Sequence, residues 1–142
     1  MNKTEFKALM AAVQVEDPWR ACQGIRITRS SPTAGREVLD PGVNFFVLML
    51  EHLGATTTYS CEGHPRGFYV AFRAGYELAL RINSCGFFTV EIMGDSYWAI
   101  RWAIRCAETT GTSRKWGEAA RVQHHTWAAQ AWARNFKLTF PA

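Results

Sequence analysis

Gly54-Ala55-Thr56-Thr57-Thr58-Tyr59-Ser60-Cys61-Glu62-Gly63-His64-Pro65-Arg66-Gly67-Phe68-Tyr69-Val70-Ala71-Phe72-Arg73 is the stretch on which the fold of this chain turns. Residues 55–61 and 68–73 alternate with period two, the pattern of a strand with one buried face. Ala55, Thr57, Tyr59 and Cys61 share one parity and Thr56, Thr58 and Ser60 the other. Phe68, Val70 and Phe72 oppose Tyr69, Ala71 and Arg73. The two glycines and one proline between the runs mark a hairpin.

The same order of signals lies on either side of this hairpin. Upstream, Asp40 followed by Pro41 predicts a capped helix start, the apolar run Phe45–Leu53 its body, and Gly54 a left-handed stop. Downstream, residues 75–85 predict a shorter helix on Leu78, Leu80 and Ile82, ended by Gly86. Phe88, Val90 and Ile92 form the next apolar parity, Gly94-Asp95-Ser96 a turn, and Trp98, Ile100, Trp102 and Ile104 the closing run. Residues 97–105 also admit a helix capped by Asp95; alternation favours a strand. Helix–glycine–hairpin thus occurs twice, over about 40–74 and 75–105, with Phe68/Val70/Phe72 matching Trp98/Ile100/Trp102 at an offset of 30.

Towards the ends, residues 4–15 predict an amphipathic helix on Phe6, Leu9, Met10 and Val13, with Thr4 as its cap and Asp17-Pro18 as its stop. Residues 24–29 alternate as a short strand, and 30–35 form a surface connection. Residues 116–135 predict a last helix, with Trp116, Ala120, His124, Trp127 and Ala131 along one face and Glu118, Arg121, His125 and Trp132 nearer another. That helix is expected on the sheet face left open by the others. The reading is a single α+β domain spanning 1–142. Its sheet is mainly antiparallel, four- to five-stranded, with the repeated helix–hairpin unit and helices packed on it.

Composition bounds the function classes. The chain has 142 residues, 48% apolar and 20% charged, enough for one core and too apolar for disorder. No apolar run nears the roughly 18 residues of a membrane span, and the N-terminal residues lack the apolar middle of a secretion signal. A soluble cytoplasmic protein is expected. Its four cysteines, Cys22, Cys61, Cys85 and Cys106, are scattered, so reduced thiols are expected. The net charge of +4 sits in the flanks: residues 1–35 carry +2, 36–110 carry −2 and 111–142 carry +4.

The densest chemistry is Cys61, Glu62, His64 and Arg66 within six positions. Cys61 and His64 have the spacing of two zinc ligands, with Cys22, Cys85, Cys106, His52, His124 and His125 as the remaining pool. The same residues could form a cysteine nucleophile beside an imidazole, oriented by Glu62. A structural reading stands beside both: Cys61 caps the core end of a strand, His64 bonds a backbone carbonyl, and Glu62 pairs with Arg66. His124 reads as a core histidine and His125 as a solvated one, since adjacent helix positions point about 100° apart. Elsewhere the solvent parity of the strands carries Thr56, Thr58, Ser60, Tyr69, Arg73, Phe87, Thr89, Glu91, Tyr97 and Arg101. Aromatics interleaved with arginines suit a protein interface, or single-stranded nucleic acid by stacking. The expected binding residues are Arg66, Tyr69, Arg73, Tyr97 and Arg101.

Over about residues 40–103 the chain resembles small uncharacterised proteins of phages, plasmids and other mobile elements that carry a Ser-Cys-Glu-Gly-His loop, here Ser60 to His64. The resemblance implies no activity, and points to host interaction, such as inhibition of a CRISPR or restriction complex. The expectation is a small non-catalytic accessory protein that acts through a protein partner, with zinc as a candidate ion at Cys61 and His64. A cysteine-dependent enzyme and a nucleic-acid binder are the alternatives. A homo-oligomer is compatible with all three.

Overall fold

The computed structural model describes residues 3–31, 35–62, 68–102 and 118–137. These form α1 (Lys3–Ala12), α2 (Pro18–Gln23), β1 (Thr28–Ser31), β2 (Gly35–Val38), a 3₁₀ turn (Pro41–Val43), α3 (Asn44–His52), β3 (Thr56–Cys61), β4 (Tyr69–Arg73), α4 (Tyr76–Asn83), β5 (Phe88–Gly94), β6 (Tyr97–Trp102) and α5 (Glu118–Lys137). The architecture is α+β, with a four-stranded antiparallel sheet ordered β3-β4-β6-β5 and a separate two-stranded one, β1-β2. No helix among the described residues is long and apolar enough to cross a membrane.

The centre is α3, apolar on every side. Phe45, Phe46, Val47, Leu48, Met49 and Leu50 are all fully buried. It ends where Gly54 turns left-handed (φ 99°) and the Ala55 N–H bonds the Leu50 carbonyl at 2.9 Å, so the chain reverses directly into β3. Gly86 (φ 87°) does the same between α4 and β5. Helix, left-handed glycine and hairpin therefore occur twice. The two hairpins meet side by side through β4 and β6, paired Tyr69↔Arg101, Ala71↔Ala99 and Arg73↔Tyr97. That register carries a local two-fold axis between Ala71 and Ala99. It relates Tyr69, Ala71 and Arg73 to Tyr97, Ala99 and Arg101, an offset of 28 (69 to 97) in place of the 30 read from the apolar parity. Each outer strand holds one extra residue, between Thr57 and Ser60 in β3 and between Ile92 and Gly94 in β5.

The inner sheet face (Phe68, Val70, Phe72, Phe88, Trp98, Ile100) packs against helices. Phe46 is the hub: its ring meets those of Phe45, Phe68, Phe88 and Trp132 edge-on, at centroid distances of 5.2 to 5.5 Å. Trp132 comes from α5, so the last helix joins α3 on the inner face and does not cover the open one. Its core stripe is His124, His125, Ala128, Ala129, Trp132 and Phe136, while Trp127 is half exposed. The expected alignment of Trp127 with the core and Trp132 away from it is thus reversed, and Trp116 lies outside the described residues.

Three local expectations also change. Asp17-Pro18 does more than stop α1: the Asp17 carboxylate accepts the Arg20 N–H at 3.1 Å and Pro18 occupies the first turn of α2, which was not anticipated. The strand expected over 24–29 lies at 28–31 and pairs with 35–38, so the segment read as a surface connection contributes to both strands of a hairpin. There Arg29, nearly fully buried, bonds Glu37 through Nε and Nη2. Asp40 makes no cap for its own helix; its carboxylate accepts the Glu62 N–H at 3.2 Å. Asn44, buried at the start of α3, donates to the carbonyls of Cys22 and Ile25, closing the end of α2.

Candidate functional site

The outer face of the four-stranded sheet gathers most of the expected binding residues. Residues directly opposite each other on antiparallel strands project to the same side, so the register brings Arg73 to Tyr97 and Arg101 to Tyr69. The Arg73 guanidinium lies 4.5 Å from the Tyr97 ring centroid and that of Arg101 5.3 Å from Tyr69, two cation–π stacks related by the local two-fold. Arg101 also pairs with Glu91 of β5. The Tyr97 hydroxyl lies 2.9 Å from Thr58 Oγ1. Burial, helped by Cys61, raises the Tyr69 hydroxyl above its ordinary pKa, against the opposing pull of Arg29 and Arg101. Between the stacks, Ala71 and Ala99 form the floor of a shallow depression of about 260 Å³, also lined by Tyr59 and Met93.

Tyr59 belongs to this face although alternation did not place it there, and Met93 joins it on the parity of Thr89 and Glu91. The extra residue resets the parity of β3, while that of β5 comes after Ile92. In β5 the following Gly94 hints at the irregularity; in β3 no glycine or proline marks it. Ser60 leaves the outer parity for the same reason, pairing instead with inner Val70. Arg66, the remaining member of the expected set, lies outside the described residues.

The same shift revises the reading of Cys61. Paired with Tyr69, it stands on the outer side, half-buried, and not on the core parity expected of it. Glu62 is bonded elsewhere: its carboxylate accepts the Gly42 N–H at 2.9 Å, while its own N–H is held by Asp40. Trp19 Nε1 donates to the Gly42 carbonyl at 3.0 Å. A carboxylate at the 3₁₀ turn that leads into α3 suits the N–H groups left open at a helix start. The contact is too close for a side chain at position 42, where a Cβ would stand 2.8 Å from Glu62 Oε2 and 2.9 Å from its Cβ. Glu62 therefore anchors the strand end on the turn that leads into the central helix; Arg66, its expected surface partner, lies outside the described residues. His64 lies outside the described residues.

The other described thiols and imidazoles do not converge. Among the described residues no three His, Cys, Asp or Glu side chains come together as a metal site. Cys22 is fully buried, which pushes its thiol up to about 12. Cys85, also raised by burial, ends α4 near Asn135, and Cys106 lies outside the described residues. His52 lies against Phe6, ring centroids 5.3 Å apart and tilted. His125 is not solvated: it is 3% exposed, packed against Trp19, Phe46 and Phe68. His124, buried against Phe87 and Trp127, has its pKa lowered from 6.5 by that burial. The sign follows directly. The unfolded chain takes up the proton first, so this part of the stability is complete above about pH 6.5 and declines as pH falls through that value, until the folded form protonates as well. Urea midpoints measured from pH 7 to 5 are expected to fall, and His124→Phe to flatten the decline.

Comparison with known proteins gives this face no precedent: no family model, no curated protein and no solved structure matches the chain.

Proposed function

We infer that this is a small non-catalytic binding protein that engages a protein partner through the outer face of its four-stranded sheet. The observation that carries the reading is the pair of Tyr–Arg stacks around the alanine floor, on a face that no described helix covers. Tyrosine, arginine and methionine are the residues enriched where protein interfaces bind most tightly, and arginines held in place by stacking lose little freedom on binding. A nucleic acid is less well served. Base stacking needs open rings, and both tyrosines already carry a guanidinium; phosphates need surplus cations, and Glu91 neutralises one of the two. The bond from Gly42 to Glu62 likewise favours an anchoring role for that carboxylate over an orienting one beside Cys61. A host defence complex, the partner implied by the resemblance of the loop, is a candidate within this reading.

The test compares proteins captured by the tagged wild-type chain and by an Arg73→Glu/Arg101→Glu variant, from nuclease-treated lysate. At least one protein is expected to be retained by the wild type and reduced at least tenfold by the variant, with circular dichroism and melting temperature preserved. Capture that ignores the double substitution, or that vanishes with nuclease, overturns the reading.

A further inference from the structure

Three exposed apolar side chains, among them the two most exposed of the described residues, lie along the β5 edge of the sheet. Ile92 is 74% exposed, and on α4 Tyr76 and Leu80 are 64% and 50% exposed. Tyr76, Leu80 and Asn83 are spaced i, i+4, i+7 and so lie on one helix face. Asn83 shows which way that face points, since its Oδ1 accepts the Val90 N–H of the edge strand at 3.2 Å. Tyr76 in turn sits 6.1 Å from Trp98, the residue paired with Ile92. The apolar stripe of α4 therefore overhangs the edge of β5 that no other described strand pairs. Because the outward N–H groups of an antiparallel strand alternate, the N–H and C=O of Ile92 face away from β6 as those of Val90 do.

We propose that two copies of this chain pair antiparallel through β5, with Ile92 on the two-fold axis, joining their sheets into one of eight strands. Unpaired edges are ready templates for such pairing. Asn83 already occupies the Val90 N–H, so the free stretch is short and centred on Ile92. A foreign strand added there would satisfy Ile92 and leave Tyr76 and Leu80 in water. The two-fold operation covers both features at once: Ile92 exchanges two N–H···O=C bonds with its counterpart, and the two α4 stripes, both overhanging the edge, come together beside the axis. In this register Glu91 falls opposite Met93 of the second copy; its own counterpart is a diagonal neighbour, and each Glu91 is already paired with Arg101. The outer faces then lie side by side on one surface, doubling the binding face without covering it.

Sedimentation equilibrium of the purified chain, from 1 to about 100 µM, is the test. A dimer is expected, and Ile92→Lys and Leu80→Glu are each expected to weaken it at least tenfold while leaving circular dichroism unchanged, both positions being exposed. Ile92→Cys should cross-link to itself under mild oxidation, since residues of a hydrogen-bonded antiparallel pair stand about 5.5 Å apart, within disulfide reach; peptide mapping identifies the 92–92 link. A chain that stays monomeric throughout overturns the proposal. So does a dimer indifferent to both substitutions, or one lost only in Arg73→Glu/Arg101→Glu, which would put the contact on the outer face. The partner-capture experiment is read separately, because Ile92 is no part of that face.

Discussion

Phe46→Ala is expected to cost about 3–5 kcal/mol, the range for deleting a fully buried aromatic ring. Against the roughly 5–15 kcal/mol by which domains of this kind are usually stable, that is a large single loss. The reason lies in how many elements the ring joins. It is fully buried and meets Phe68 beside β4, Phe88 of β5 and Trp132 of α5 at 5.2 to 5.3 Å, besides its own neighbour Phe45. Surroundings that belong to separate segments cannot collapse together to fill the void, which places the substitution at the costly end of the range. Phe46→Leu retains most of the volume and loses the edge-to-face contacts, so a smaller loss of about 1–2 kcal/mol is expected. Urea unfolding measures both. In a double-mutant cycle with Trp132→Leu the two losses should fall short of additive by about 0.5–1.5 kcal/mol, the worth of one aromatic pair. A Phe46→Ala loss below 1 kcal/mol would mean that the hub is not where the packing converges.

The second large effect is expected just before α3, in the 3₁₀ turn that leads into it. Glu62→Ala removes a charged acceptor from the Gly42 N–H, a bond of the class worth about 1.5–3 kcal/mol. Glu62 is half-buried, so solvent screens part of that and about 1–2 kcal/mol is expected. Gly42→Ala should cost about as much or more, because the new methyl would collide with Glu62 at 2.8 and 2.9 Å. The double variant separates the two causes. Glu62→Ala withdraws the carboxylate but keeps the Cβ, so it relieves the collision only in part, and Gly42→Ala should remain destabilising in that background. If Glu62 served chemistry and not structure, Glu62→Ala would leave the urea midpoint unchanged.

These two positions also show what could be read from the residues alone. The hydrophobicity of α3, its glycine stop and the alternation of β4 and β6 are local properties, and each appears where the pattern put it. The central strands carry no bulge, so Tyr69, Arg73, Tyr97 and Arg101 were legible as one face. β3 was not, since one inserted residue inverts the side chains beyond it, whereas in β5 the insertion follows Ile92 and shifts Gly94 alone. The helix α2 spans only six residues and borrows its start from Asp17, too short for a period to declare itself. In α5 tryptophans lie on both sides, and only contact with Phe46 and Phe88 decides that Trp132 is the inward one. The role of Glu62 could not have been found locally at all. Its partner is 20 residues away, and the cluster of reactive side chains around it points to chemistry before it points to an anchor.

The dyad between Ala71 and Ala99 bears on how anything can land on that face. A ligand lying across it would meet tyrosine, alanine, arginine in one direction and, turned end for end, the same three again, so the central strands alone cannot impose polarity. What breaks the tie is the flanking pair: Thr58, hydrogen-bonded with Tyr97 on one side, against Glu91, salt-bridged to Arg101 on the other. Exchanging the chemistry of those two positions should reverse the bound direction of a partner while leaving its strength almost untouched.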